Sequence, residues 1–401
     1  MDFGFIIGSG ISNGLIWAVL SIGIYITYRI LDIADLGIEG TFPLGASVVA
    51  ILIVSGLNPV LATIIALFAG AFFGTITGIL HTKFKIPAIL AGIITMTGLF
   101  TINMFVLGGF KDALPSLPLL DPTTNEAYPT IFTFARTFLQ TNQNNVLTIL
   151  VGLILIVLLI IFVPLIIKLI KKIIKHEFKE KLAKSIFQTI IYSIVSIIIV
   201  LGLGVIICGL FNVGFINSFN STIIKLLTIK TISVIIVAGI ILSIVFGICY
   251  WFFGTEIGMS LRATGNNSRM AKAQGINTDL MIILGLAISN GLVAFCGAIY
   301  AQSTLAANTQ QGQGTIVIGL ATIVIGESIF GRQDFKKSII SVIVGSLLYF
   351  LLEAVAIDLQ VQHYLKLVRA ILVTVVLVIP FIKNKIKLKK KDTGGLNNVT
   401  N

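Results

Sequence analysis

Residues 280–302 read LMIILGLAISNGLVAFCGAIYAQ and contain no charged side chain. An α-helix needs about 20 mostly apolar residues to cross a bilayer, so this stretch is long enough to span one. Comparable runs recur along the whole chain, in which 56% of the residues are hydrophobic and the mean hydropathy is +1.05. The short alternating segments that build a β-barrel are not visible in the sequence. The sequence therefore predicts an all-α, polytopic membrane protein.

About eleven stretches of this kind can be delimited in the sequence. In chain order they are 10–30, 40–57, 59–82, 87–109, 146–169, 186–210, 230–253, 280–302, 315–330, 339–358 and 364–382. The second and the ninth are short for a crossing and are punctuated by glycine. Such segments are typical of broken or re-entrant helices in transporters, where irregular backbone can line a cavity. We expect broken or re-entrant helices at these two places.

The positions of Lys and Arg predict the orientation, because cytoplasmic loops are enriched in them. The chain has 28 such residues and a net charge of +12. Most of them fall on one side when the C-terminus is cytoplasmic and the N-terminus external. We therefore assign 1–382 to a transmembrane domain and 383–401 to a basic cytoplasmic tail. Since this tail directly follows a span, contact with anionic membrane lipid is favoured over nucleic-acid binding.

Residue patterns that indicate enzyme chemistry are absent from the sequence. Cys208, Cys249 and Cys296 fall in or at the ends of apolar stretches without a CxxC pair, so they are predicted to be packing residues. The three histidines have no metal-ligand spacing. Neither a P-loop nor a dinucleotide fingerprint occurs. The chain is therefore predicted not to be an enzyme and to hold neither a metal nor a cofactor.

Two pairs of segments echo each other along the chain. Residues 13–18 (NGLIWA) resemble 290–294 (NGLVA), and 40–46 (GTFPLGA) resemble 314–320 (GTIVIGL). The first and eighth spans run in opposite directions in the predicted topology, so the echoes suggest an inverted repeat with the solute path between the halves. Chance similarity is the alternative, because the composition is dominated by a few small and aliphatic residues. The predicted path and gating residues are Asn13, Gly40, Thr41, Pro43, Gly45, Asn290, Gly314, Thr315 and Gly319.

A polar segment, 258–277, lies between two long apolar spans. Asn267 is suited to cap a short helix over 268–274, and Gly275 suits the left-handed residue that ends it. Arg269 and Lys272, three residues apart, would share one face of that helix. The segment is either a docking element for a cytosolic partner or a solvated connector.

Longer motifs resemble those of a known family. Permeases of ABC importers carry similar segments, specifically those of the branched-chain amino acid and ribose group. The likeness is nearest to permeases paired with tryptophan/tyrosine-type binding proteins. The segments that carry it here are 262–267 (RATGNN), 275–279 (GINTD), 284–294 (LGLAISNGLVA), 25–32 (YITYRILD), 40–46 (GTFPLGA) and 89–96 (ILAGIITM). The resemblance covers about 8–110 and 229–382.

This resemblance implies a permease domain that works with several partners. They are a separate ABC ATPase subunit, an extracytoplasmic substrate-binding protein and a second permease copy, expected to form a homodimer in the cell membrane. The cargo would be a small solute such as an amino acid. The residues implied to touch the ATPase are Arg262, Ala263, Thr264, Gly265, Asn266, Asn267, Arg269, Ala271, Lys272, Gly275 and Ile276. The stretch 115–228 departs from the family pattern and is predicted to be an insertion with two extra spans.

An ion-coupled secondary transporter is the alternative function. Such a carrier would use carboxylates at the middle of the membrane. The candidates are Glu327, Glu353 and Asp358 on the later spans, with Asp32, Asp35 and Glu39 at the first turn. Glu353 is predicted to lie deepest. Because most of these carboxylates sit near span ends, structural or gating roles are favoured. An ion channel is the least favoured class.

Overall fold

The computed structural model describes residues 3–122, 124, 126–141, 228–331 and 335–359, together with the isolated residues 367 and 374. A π-helical turn, Ile26–Ile30, extends the first helix, and a 3-10 turn, Thr309–Gly312, lies between the second strand and the tenth helix. The other described elements are α1 Phe3–Tyr25, α2 Ile38–Val54, α3 Pro59–Thr82, α4 Ala88–Leu107, β1 Ser116–Pro118, α5 Ile131–Thr141, α6 Ile229–Gly254, α7 Glu256–Asn266, α8 Ser268–Ala273, α9 Thr278–Thr304, β2 Ala306–Asn308, α10 Thr315–Phe330 and α11 Phe335–Asp358.

Seven of the described helices are long and apolar enough to cross a membrane, when α1 is counted with its π-helical turn and α10 with the 3-10 turn before it. Helix α2 is a shorter apolar helix. These helices coincide with eight of the predicted stretches, including both short ones. The predicted spans 146–169 and 186–210 lie outside the described residues, as does 364–382 apart from residues 367 and 374. The polytopic all-α class is confirmed, whereas the number of about eleven spans stays a prediction.

The chain divides into two compact units, residues 1–135 with 230–401, and residues 136–229. Of the second unit the structure describes only 136–141, at the end of α5, and 228–229. The predicted insertion therefore falls largely outside the described residues. Its first part lies in the first unit, where β1 pairs antiparallel with β2 and Leu117 is opposite Ala307. The two extra spans and the basic tail stay predictions.

The longest described helix, α9, packs between α2 and α3 at very short range. A β-carbon at Gly45 would overlap the carbonyl oxygen of Ala294, and one at Gly297 would overlap that of Phe42. Gly70 of α3 likewise faces the backbone of α9. Inside a membrane, small residues let helices approach closely enough for extensive van der Waals contact. The glycines thus fix α2 and α3 against the centre of α9.

A second group of helices is formed by α1, α10 and α11. The hydroxyl of Ser346 on α11 donates a hydrogen bond of 2.8 Å to the carbonyl oxygen of Gly14 on α1. Thr322 on α10 donates one of 2.7 Å to the hydroxyl of Ser21 on α1. Such polar contacts between apolar helices add direction to packing that is otherwise non-specific.

An aromatic cluster joins the two groups of helices. Trp17 of α1 stacks on Phe42 of α2 with ring centroids 5.2 Å apart, and it also contacts Phe350 of α11 at 5.3 Å. The ring of Tyr300 on α9 lies edge-on to Trp17 at 5.7 Å. These are the separations at which offset and edge-to-face aromatic pairs attract, so the cluster ties α1, α2, α9 and α11 together.

Candidate translocation path and coupling surface

Helix α2 begins in the middle of the helix bundle rather than at its edge. Gly40, in its first turn, packs against Met96 and Leu99 near the centre of α4. The hydroxyl of Thr41 donates a hydrogen bond of 2.9 Å to Oδ1 of Asn290, the thirteenth of the 27 residues of α9. At 1.5 Å per residue, Asn290 lies about 18 Å from the start of α9. Helix α2 therefore starts near half the depth of the long helices beside it.

The first turn of α10 meets the first turn of α2. Oε1 of Glu39 accepts a hydrogen bond of 3.0 Å from the backbone N–H of Gly314, the residue before α10. A β-carbon on Gly312 would overlap the carbonyl oxygen of Glu39, so the backbones touch. Gly314 has a φ of 81°, a left-handed value that glycine adopts without a steric penalty. Helix α10 thus begins level with α2.

These two short helices run to opposite sides of the bundle. Residues 55–58 connect α2 to α3, which ends next to Lys83 on the side predicted to be cytoplasmic, so α2 runs outwards. Helix α10 runs inwards, because Glu327 near its end pairs with Arg29 beyond the end of α1. Two helices of 17 and 16 residues that meet at mid-depth and run apart are the arrangement that the suggested inverted repeat predicts.

A buried polar network surrounds the start of α2. Nδ2 of Asn290 donates a hydrogen bond of 2.6 Å to Oδ2 of Asp35, and the backbone N–H of Gly37 donates one of 2.8 Å to Oδ1. The same amide of Asn290 accepts the bond from Thr41. Asp35 is 5% exposed and Asn290 is fully buried. Buried polar groups are stable only when they are hydrogen-bonded. Through these bonds Asn290 attaches two parts of the chain to α9: the segment before α2, at Asp35, and the first turn of α2, at Thr41.

The residues predicted from the sequence to form a path cluster at these contacts. Gly319, for example, packs on Ile24 of α1. In this conformation the predicted residues pack helices together rather than lining an open surface. Two of the predicted residues, Asn13 and Gly314, are half-buried. The others are buried: Gly40, Thr41, Pro43, Gly45, Asn290, Thr315 and Gly319. Asn13 lies apart from the others on α1. Asp35 and Glu39, named from the sequence as candidate membrane carboxylates but not as path residues, join the cluster.

The polar segment 258–277 folds as two short helices. The side chain of Asn267 accepts a hydrogen bond of 3.1 Å from the backbone N–H of Met270, and Gly275 has a φ of 84°. The predicted short helix is confirmed as α8, with Asn267 as its N-cap. Helix α7 was not predicted from the sequence; the side chain of Thr255 caps it by accepting a hydrogen bond of 3.3 Å from the backbone N–H of Gly258. That capping pattern was the available signal.

The predicted coupling residues divide by exposure. Their exposed members form a polar surface at the end of α7 and along α8, which we call the α7–α8 face: Asn266, Asn267, Arg269, Lys272 and Gly275. Thr264 and Ala271 are buried. Arg262, Ala263, Gly265 and Ile276 are half-buried. Arg262 thus lies on the side of α7 that faces the bundle, so only part of the predicted set is available to a partner in this conformation.

Helix α7 is seated directly on the end of α1. A β-carbon at Gly265 would overlap the carbonyl oxygen of Ile30, so the backbones of α7 and the π-helical turn are in contact. Beside this contact lies a cavity of about 440 Å³, lined by Tyr25, Tyr28, Arg29, Ile30, Asp32, Arg262, Gly265 and Asn266. Helix α7 therefore cannot move towards α1 without displacing the π-helical turn that contains Arg29.

The carboxylates on the later spans lie in different surroundings. Nε of Arg29 donates a hydrogen bond of 2.7 Å to Oε1 of Glu327, and Nη2 donates to Oε2. Glu353 is buried at 4% exposure and Asp358 ends α11. Glu353 is the nineteenth of the 24 residues of α11, so it lies nearer to one end of that helix than to its centre. The expectation that Glu353 is the deepest carboxylate is therefore wrong, since Asp35 adjoins the centre of α9.

The long apolar helices, the two shorter helices that meet at mid-depth and the exposed helical pair on one side fit a transport permease, and the sequence comparison shows that class. The chain belongs to the family described as "Branched-chain amino acid transport system / permease component", whose sequence profile matches residues 6–168 and 173–379. It is therefore a multi-pass protein of the plasma membrane and the transmembrane permease subunit of an ABC-type importer. A permease of this family is not an enzyme by itself.

Two relatives extend over most of the chain. It is 29% identical over 366 residues to the "Tyrosine transport system permease protein" of Clostridioides difficile (strain R20291), covering 91% of this chain and 88% of the relative. It is 25% identical over 347 residues to "Uncharacterized protein RP368" of Rickettsia prowazekii (strain Madrid E), covering 86% of each. No solved structure matches the chain significantly.

Proposed function

We propose that this permease imports an amino acid and is driven by a separate ABC ATPase that docks on the α7–α8 face. The observation that carries the docking site is the contact of Gly265 with Ile30, because it joins an exposed polar surface to the end of a membrane helix. Arg269 and Lys272 are exposed on α8 and would meet acidic groups of the ATPase. The buried residues Thr264 and Ala271 would keep α7 and α8 packed on the bundle.

The contacts suggest how movement of the α7–α8 face would reach the solute path. A movement of α7 would displace Ile30, because Gly265 is in contact with its carbonyl oxygen. Arg29, in the same π-helical turn, is hydrogen-bonded to Glu327 of α10. Helix α10 in turn meets α2 at mid-depth, where Glu39 accepts the bond from Gly314. We propose that the two short helices gate the path by alternating access. The gating residues would be Gly40, Thr41, Pro43, Gly45, Asn290, Gly314, Thr315 and Gly319, with Asn13 on the adjoining helix.

Further partners are proposed from the membership of the family. An extracytoplasmic binding protein would deliver the solute, and a second copy of this chain would complete the path. Anionic lipid would hold the basic tail at 383–401, which carries Lys389, Lys390 and Lys391. An amino acid cargo is supported by the description of the family and by the relative named as a tyrosine system permease. The stretch 115–228 is proposed to be an insertion with two extra spans.

An ion-coupled secondary transporter is the second candidate. The buried carboxylate of Asp35, next to the mid-depth residue Asn290, is the feature of the structure that favours it. A carrier would need an ion gradient and no ATPase, whereas the importer would need ATP hydrolysis by a partner. The two functions therefore differ in the energy source that the purified system requires.

The deciding experiment is purification of the tagged protein from its native membrane in mild detergent, followed by mass spectrometry of the proteins that accompany it. Recovery of an ABC ATPase, and ATP-dependent amino acid uptake after reconstitution into vesicles, would support the importer. Recovery of the chain alone after gentle crosslinking, with uptake driven by a proton or sodium gradient, would overturn it in favour of the carrier.

A further inference from the structure

Polar side chains are exposed around the point where α2 and α10 meet. Gln310 and Gln313 lie in the segment that leads into α10, and both are exposed. Glu39, in the first turn of α2, is half-buried. The neighbouring Gly40 packs on Met96 in the middle of α4, which places Glu39 and the adjoining Gln313 far from both ends of the long helices. Gln310 lies nearer to β2, which follows the end of α9.

Such a surface is incompatible with the hydrocarbon of a bilayer. A carboxylate at the bilayer centre costs several kcal/mol. Irregular backbone at membrane depth is tolerated only where it is buried in protein or lines a water-filled cavity. The segment 309–314 consists of one 3-10 turn, Thr309–Gly312, and two residues outside any helix, and its side chains Gln310 and Gln313 are exposed. The surface must therefore face water or another polar surface.

The geometry of Glu39 leaves part of its carboxylate for a further partner. Oε1 accepts the hydrogen bond of 3.0 Å from Gly314. An ionised carboxylate has two oxygens and about four acceptor positions in all. Because the Glu39 side chain is half-buried rather than enclosed, an ammonium group arriving from the exposed side can approach it. The bond from Gly314 also holds the carboxylate in one place, which reduces the entropic cost of binding.

We propose that Glu39 faces the solute path at mid-depth and binds the ammonium group of a zwitterionic amino acid as it passes. Gln313, next to Gly314, lines the same stretch of path, and Gln310 lies further along it towards β2. The path and its aqueous access rest on the geometry alone, whereas the identity of the solute rests on the proposed function. Glu39 is thus a specificity residue in addition to a partner of α10.

A labelling experiment tests the path. In a chain whose Cys208, Cys249 and Cys296 are replaced by Ala, Gln313→Cys is treated with membrane-impermeant methanethiosulfonates that carry either a trimethylammonium or a sulfonate group. We expect both reagents to react, with the cationic one favoured by Glu39. Glu39→Gln retains an acceptor oxygen for Gly314 but removes the charge. It should lower the cationic-to-anionic ratio of reaction rates about tenfold, the effect of a unit charge some 6 Å away in water.

A matched control is a cysteine on an apolar surface. Ile244, on α6, is 56% exposed, and Ile244→Cys should react with neither reagent because thiolate does not form in hydrocarbon. Failure of both Gln313→Cys and Gln310→Cys to react, with and without ATP, would overturn the aqueous path. Reaction at a ratio that Glu39→Gln leaves unchanged would overturn the placement of Glu39 in it.

Uptake by the reconstituted complex tests the solute. The wild-type complex is screened with each of the twenty amino acids, and uptake of those transported is then measured for Glu39→Gln and Glu39→Asp. Glu39→Gln should lower uptake at least about tenfold, since a charge-assisted hydrogen bond is lost, while ATP hydrolysis persists. Glu39→Asp, which keeps the charge, should retain part of the uptake. Equal uptake by wild type and Glu39→Gln would overturn the role of Glu39, as would absence of amino acid uptake by wild type.

The two experiments separate the inference from the proposed function. If the chain is not driven by an ATPase, ATP-dependent uptake fails, yet the labelling of Gln313→Cys and its dependence on Glu39 remain as expected. If the chain is an ATP-driven importer whose path runs elsewhere, ATP-dependent uptake succeeds and the labelling fails.

Discussion

Arg29 and Glu327 form a two-point ion pair between the end of α1 and the end of α10. Nε and Nη2 of Arg29 each donate to one carboxylate oxygen of Glu327. Their side chains are 26% and 18% exposed, so water screens the pair only in part. The planar guanidinium matches a carboxylate in this geometry, which gives the contact direction as well as strength. The pair couples the helix on which α7 rests to one of the two short helices.

Loss of either charge in this pair should weaken both stability and transport. Glu327→Gln or Arg29→Gln leaves the other group partly buried without its counter-charge, and we expect a loss of about 1–3 kcal/mol. The midpoint of thermal unfolding in detergent and the rate of uptake should both fall. The check is a thermal scan of each variant beside an uptake assay at equal membrane abundance.

The reversed pair supplies the control. Arg29→Glu combined with Glu327→Arg should recover part of the stability that each single charge reversal loses, because residues in direct contact are not additive. Strictly additive losses in the double variant would show that the two side chains do not act as a pair in the membrane.

The α7–α8 face provides a second prediction, on the ATPase partner. Arg269→Glu combined with Lys272→Glu reverses two exposed charges, so membrane abundance should be unchanged, while ATPase recovery and uptake should each fall at least about tenfold. Lys83→Glu, an exposed charge elsewhere on the predicted cytoplasmic side, is the matched control. Co-purification and uptake are measured for all three proteins, and full ATPase recovery with the double variant would refute docking on this face.

The exposures on α7 and α8 also show how far the sequence could predict the site. Capping by Asn267 and the left-handed Gly275 are local features, so α8 was predictable from the sequence. The half-burial of Arg262 depends on how α7 packs against the end of α1, a contact between residues more than 200 positions apart in the chain. Periodicity carries no information about such a contact.

The same distinction applies to the membrane helices. Length and hydropathy predicted the eight described spans, because each of these properties belongs to a single segment. The meeting of Glu39 with Gly314 joins residues 275 positions apart and required the fold. The sequence echo around Gly40 and Gly314 indicated that the two segments were alike, but it did not indicate that they touch.

The contact between Gly265 and Ile30 yields a third prediction. Gly265→Ala would force α7 away from the end of α1, since a β-carbon would overlap the carbonyl oxygen of Ile30. Overpacking of this kind typically costs about 1–3 kcal/mol. We expect lower uptake per molecule together with a lower unfolding temperature.

Gly254→Ala is the matched control for this substitution. Gly254 ends α6, just before α7, and a β-carbon there would meet no atom within 4 Å. The change should stay within about 0.5 kcal/mol, as is usual for surface substitutions. Thermal scans and uptake of the two variants are compared side by side. Equal unfolding temperatures and equal uptake would rule out close packing of α7 against Ile30.

Asn290 provides the last prediction, because it bonds to both Asp35 and Thr41 in a fully buried position. Asn290→Ala removes the side-chain donor of a buried carboxylate, which should cost about 2–3 kcal/mol. Thr41→Val removes one hydrogen bond and should cost about 1 kcal/mol. Asn290→Asp should destabilise most, since it sets a second carboxylate beside Asp35.

The non-additivity of these losses is what identifies a network. Once Asn290 is gone, Thr41→Val has no cross-helix bond left to break, so the double variant should lose less than the sum of the two single losses. Unfolding midpoints in detergent measure this, with Ser243→Ala on the exposed side of α6 as a hydroxyl control. Fully additive losses would mean that the bond between Thr41 and Asn290 does not contribute to stability. The position of the start of α2 would then be fixed by its glycine contacts alone.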